Sequence, residues 1–182
     1  MASTTPRITP DDLLRMPDDG WRHELIDGEL HRRPFNGLAE GAAAANLGAA
    51  LSAVARRNAS GRAFPNVGYV LVEEPPTVLG PSVSFVRAER LPPRAEWSTF
   101  PRRAPDLAAD VVLPSDAAGA FVRRVRINLA AGVRLVWIVD PASRTVAVHH
   151  PDRTGRLLIE GETLDGGDVI AGFSLPVSEV FA

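Results

Sequence analysis

Two apolar runs dominate the hydropathy pattern, residues 107–113, which carry a single acid, and residues 135–139, which are wholly apolar. Between them Ala118, Phe121, Val122, Val125 and Leu129 recur at three- and four-residue spacing, the stripe of an amphipathic helix. The pattern predicts a strand, then a helix capped by Ser115 or Asp116 and stopped near Ala131 by Gly132, then a second strand closed by Asp140-Pro141. Strands without polar alternation, joined by a helix, predict a parallel pair buried on both faces. Asp110, a carboxylate inside the first of these strands, is the residue that fits this pattern least.

The remaining segments arrange themselves around that unit. Thr9-Pro10-Asp11-Asp12 predicts a short helix ending near Met16. Residues 21–33 read as a hairpin turning at Asp27-Gly28. Residues 38–58 are alanine-rich, with Leu47, Leu51 and Val54 at helical spacing. Residues 67–73 and 83–86 read as strands separated by a proline- and glycine-rich turn over 75–81. Residues 88–104, rich in proline and arginine and without periodicity, predict a long surface loop able to border a site. A late hairpin over 145–150 and 156–160 and a helical turn after Pro176 complete the chain. No repeat or linker divides it, so one domain over residues 1–182 is expected.

Composition narrows the chemistry. The chain has no cysteine, which excludes disulfides, thiolate zinc sites and thiol catalysis. All 20 basic residues are arginine, and with a net charge of −2 the chain is not expected to coat nucleic acid. The opening MASTTPRITP lacks the apolar core of a signal peptide, and no run approaches the length of a membrane span. A cytoplasmic location without membrane partners is expected.

On a strand, residues 108, 110 and 112 share one face. A metal-dependent phosphodiesterase needs two or three oxygen ligands converging on one point, with a cation near the attacked phosphate. Arg124 and Asn128 lie together on one edge of the helical stripe, where a side chain can lean toward Asp110, while Arg123 points away. A buried Asp110–Arg124 ion pair of purely structural role fits the same pattern.

The series ELIDGEL, a helix, PSVSFV, PDLAADVVLPSD and AGVRLVWIVDP resembles the Uma-type restriction endonucleases of the PD-(D/E)XK nuclease superfamily, over roughly residues 8–150. The resemblance implies an α/β fold with a restriction-endonuclease-like αβββαβ core and mixed sheet, here with an N-terminal hairpin and a C-terminal hairpin extension. It also implies a Mg²⁺-dependent cleft, DNA as substrate and, by analogy with paired strand cutting, a homodimer. Glu24 matches the family pattern, and Asp110 stands at the position of its glutamate. Ser82 replaces the first metal-binding aspartate, Arg124 the lysine carried by the helix, Asn128 a tyrosine and Glu40 a histidine. The implied catalytic set is therefore Glu24, Ser82, Asp110 and Arg124, with Asp110 and Glu24 as metal ligands.

The departures have chemical consequences. A neutral hydroxyl ligates Mg²⁺ weakly, and Asp106 lies four strand residues, about 13 Å, from Asp110. Arginine stays charged, so it steadies a phosphate or pairs with a carboxylate but is a poor proton acceptor. The expectation is a DNA endonuclease with an impaired metal site. The alternative is an inactive nuclease-fold protein that binds DNA or another protein.

Overall fold

The computed structural model describes residues 8–182. Helix α1 (Pro10–Leu14) opens with a capping box, in which Thr9 Oγ1 accepts from the Asp12 N–H and Asp12 accepts from the Thr9 N–H. Strands β1 (Arg22–Ile26) and β2 (Glu29–Arg33) form the expected hairpin, with Asp27 and Gly28 both at positive φ, 54° and 81°. Two left-handed residues are what a two-residue turn needs to match the strand twist. Helix α2 (Leu38–Asn58) follows, then β3 (Gly61–Pro65), β4 (Tyr69–Val72), β5 (Thr77–Leu79) and β6 (Val83–Arg87). After the 88–104 loop come β7 (Leu107–Val111), α3 (Ala118–Ala130) and β8 (Leu135–Asp140). The chain closes with β9 (Thr145–His149), β10 (Gly155–Leu158), β11 (Thr163–Asp165), β12 (Ser174–Pro176) and α4 (Val177–Val180).

The main sheet runs β10-β9-β8-β7-β6-β3, with β7 and β8 parallel as expected and every other pair antiparallel. A second sheet runs β2-β1-β5-β4. Side-chain alternation divides the main sheet into two faces. Phe85, Leu107, Ala109, Leu135 and Trp137 point to the face covered by α2, where Leu47 and Leu51 complete the larger core. Ala108 and Val136 point the other way and pack with Val125 of α3. Asp110 has the parity of Ala108, so it faces α3.

Several expectations are corrected. Residues 75–81 are not simply a turn, because Thr77, Val78 and Leu79 are buried as β5, paired with both β1 and β4. Strand β3 and the β11–β12 pair were not anticipated. Helix α3 starts at Ala118 behind Ala117, with no side-chain cap from Ser115 or Asp116. Asp116 accepts instead from the Leu113 N–H at 2.9 Å and from Arg33 at 3.1 Å. The α3 stripe is narrower than its apolar residues imply, since Val122 is 62% exposed while Phe121 and Val125 are buried. By length and composition α2, at 21 residues, does reach a membrane span, contrary to expectation. Its Leu47, Leu51 and Val54 are nonetheless buried against the main sheet.

Candidate active site

The chemistry-bearing side chains meet where the two sheets and α3 converge. Asp110 enters from β7 and is fully buried. Glu24 enters from β1, on the face opposite Leu25, and Arg124 from α3. The Arg124 guanidinium lies between the two acids. Its Nε and Nη2 donate to Asp110 Oδ2 and Oδ1 at 3.0 and 2.9 Å. Its Nη1 and Nη2 donate to Glu24 Oε2 and Oε1, the latter at 3.1 Å. One planar cation thus holds two carboxylates through paired bonds, the geometry that suits guanidinium and that ammonium lacks.

Further hydrogen bonds fix this arrangement. Glu24 Oε1 also accepts from the Gly80 N–H at 2.7 Å, so the loop leading into β6 holds the glutamate in place. Asn128, one turn beyond Arg124, donates to the Arg124 carbonyl at 3.0 Å. Arg33 of β2 lies with Nη1 3.6 Å from Asp110 Oδ1 and donates through Nη2 to Asp116 Oδ2 at 3.1 Å. Burial alone would lower the pKa of Arg124, but the charges and hydrogen bonds of Asp110 and Glu24 outweigh it and raise it above its ordinary value. Arg22, neighbouring Arg33 across the hairpin, is shifted down, by burial first and then by the like charge of Arg33.

The structure therefore brings Glu24, Asp110 and Arg124 together. Ser82 lies beside them, just ahead of β6, with its Oγ accepting from the Val111 N–H at 3.1 Å. Glu40 is buried in the first turn of α2 close to Gly37, and among the described residues it makes no hydrogen bond or ion pair with the cluster. Asp106 points elsewhere, held by Arg90 and by the Arg87 N–H. Arg123 points away, to Asp27. Arg33 is the member that sequence reasoning missed, and Asp116 was read only as a cap. The signal for Arg33 was present: a hairpin turning at Asp27-Gly28 pairs Arg22 with Arg33 and Glu24 with His31, which puts all four on one face.

A family model described as "Putative restriction endonuclease", Uma2, matches residues 10–178. The chain belongs to the Uma2 family. A solved structure from Anabaena variabilis ATCC 29413, described as a putative nuclease belonging to DUF820, superposes with a TM-score of 0.84 over 96% of this chain and 97% of that one, at 19% identity. That likeness establishes the nuclease fold expected from the resemblance. No curated protein matches the chain.

Restriction-endonuclease-like folds generally use a divalent metal, so the Uma2 cluster can be tested for its fit to one. Among the described residues no group of three or more histidine, aspartate or glutamate side chains is placed to hold a metal ion. The oxygens of Asp110 and Glu24 that would face an ion accept from Arg124, and the Ser82 hydroxyl accepts from backbone. A divalent cation entering here would have to displace a buried, permanently charged guanidinium. These residues, as arranged, do not fit the metal.

Proposed function

We propose that this Uma2 protein is a non-cleaving member of the nuclease fold that binds DNA without hydrolysing it. The reading rests on one observation: the Arg124 guanidinium is bonded to both Glu24 and Asp110, the two acids that the family resemblance offers as metal ligands. Arginine cannot serve as the proton acceptor that a lysine at this position supplies, and Ser82 does not restore the missing carboxylate. DNA as the bound polymer is supported by the family and the fold. Glu24, Ser82, Asp110 and Arg124 are thus proposed as the descendants of a hydrolytic set, now a structural lock.

Restoring the ancestral chemistry tests this. Parent protein and the Ser82→Asp/Arg124→Lys double variant are compared for nicking of supercoiled plasmid in Mg²⁺ and in Mn²⁺. The parent leaves the plasmid intact in both. Cutting by the parent that disappears in Asp110→Ala would overturn the proposal and establish Mg²⁺-dependent hydrolysis, with Arg124 swinging aside when substrate arrives.

A further inference from the structure

The 88–104 loop, which the ion-pair cluster does not use, encloses a cavity of about 210 Å³ against β3, β4 and β6. Its walls are aromatic and aliphatic: Phe64, Val67, Tyr69, Val86 and Trp97. The volume lies below the roughly 300 Å³ at which pockets for drug-sized molecules begin, so it suits a single flat ring system. The cavity is built rather than incidental. Arg90 ties the loop to the buried Asp106 at 2.6 Å and to the Ala104 carbonyl at 2.9 Å, and Trp97 Nε1 donates to the Pro92 carbonyl at 3.1 Å. Tyr69 Oη is paired with Ser84 Oγ at 2.7 Å.

Charge surrounds this apolar hollow. The Trp97 ring lies 4.2 Å from the Arg94 guanidinium and 5.2 Å from that of Arg62. Arg103 joins the lining, where Glu96 is the opposing charge. Among the described residues Arg62, Arg94 and Arg103 form no ion pair with a carboxylate, so their charge is available to an anion. The cavity also adjoins the ion-pair cluster. Phe100, set between the lining residues Thr99 and Pro101, packs on Gly68 so tightly that an added Cβ there would lie 2.8 Å from the ring. On its other side Phe100 helps to wall a smaller hollow containing Arg22 and Glu24.

We propose that the Trp97 cavity is a nucleotide site: a flat base enters among Phe64, Tyr69 and Trp97 while its phosphate meets Arg94 and Arg103. Apolar walls with arginine at the rim hold any base through its π-face and its phosphate through charge, so recognition is tolerant of sequence. This deepens the DNA-binding reading and rests on it for the source of the nucleotide, an unstacked base of a strand as opposed to a free mononucleotide.

The test titrates the full chain with a single-stranded dodecamer, the same dodecamer carrying abasic residues, and deoxyadenosine monophosphate, using calorimetry. The variants are Trp97→Ala, Val67→Phe, which fills the cavity, and Arg103→Glu, each checked for folding by circular dichroism. The intact dodecamer is expected to bind, and the abasic strand and each folded variant to bind at least about fivefold more weakly, the low end of one lost base–aromatic contact. Binding of the mononucleotide without the dodecamer keeps the cavity assignment and sinks the DNA reading. Abasic and intact strands binding alike, or folded Val67→Phe and Arg103→Glu binding like the parent, sinks the cavity assignment and leaves the DNA reading standing. No binding of either ligand overturns both.

Discussion

Arg124 carries the largest single consequence at the scale of the residue. A buried ion cluster adds little net stability over an apolar one of the same shape, because desolvation offsets the attraction, but removing one partner strands the others. Arg124→Ala leaves Asp110 and Glu24 buried without their counter-charge, and about 3–5 kcal/mol of unfolding free energy is expected to be lost in urea titration. Replacing all three residues with apolar side chains of similar volume should cost much less, and a triple variant as unstable as Arg124→Ala would contradict this account. Tyr69 has a separate effect. Burial pushes its phenol up to about 12, above the ordinary value of 10. The group is raised, so its contribution is complete below pH 10 and disappears as pH rises from 10 through 12, because the unfolded chain ionises first. The parent should lose roughly 2–3 kcal/mol across that window, and Tyr69→Phe should flatten the loss in pH-dependent denaturation.

Legibility at this scale followed parity. Asp110 and Arg124 could be placed in one site because strand alternation and the helical stripe each fix the direction of a side chain. Glu24 came from resemblance alone. Arg33 needed the hairpin register to be followed five residues out from the turn, and Asp116 was misassigned because a cap and an ion partner look identical in sequence.

For the elements, long periodic segments were legible and short ones were not. Helix α2 lies within the residues its alanine and leucine spacing predicted, and β7, α3 and β8 form the parallel crossover. Strand β5 was hidden because three residues between prolines carry no period, and it exists through pairing on both sides. Strand β3 was hidden for a related reason: its burial is partial and shows no alternation. Its geometry depends on Gly61, whose φ of 153° belongs to glycine and whose added Cβ would meet the Val86 carbonyl oxygen at 2.2 Å. Gly61→Ala is expected to separate the start of β3 from β6 and lower stability by about 2 kcal/mol or more, read as a fall in thermal midpoint of several degrees.

Considered whole, the described residues form a four-stranded, a six-stranded and a two-stranded sheet, and the Arg124 cluster joins the first two. Glu24 belongs to the four-stranded sheet and Asp110 to the six-stranded one, and their common partner hangs from the crossover helix. A divalent ion could hold two carboxylates together in the same way. The difference has a practical outcome, because an ion in solution can be diluted, exchanged or chelated, whereas a guanidinium fixed to the backbone keeps the same local concentration in every buffer. Dialysis against EDTA, or addition of millimolar Mg²⁺, should therefore leave the thermal midpoint of the parent unchanged. This protein carries its cation as part of its own chain, and no change of medium can take it away.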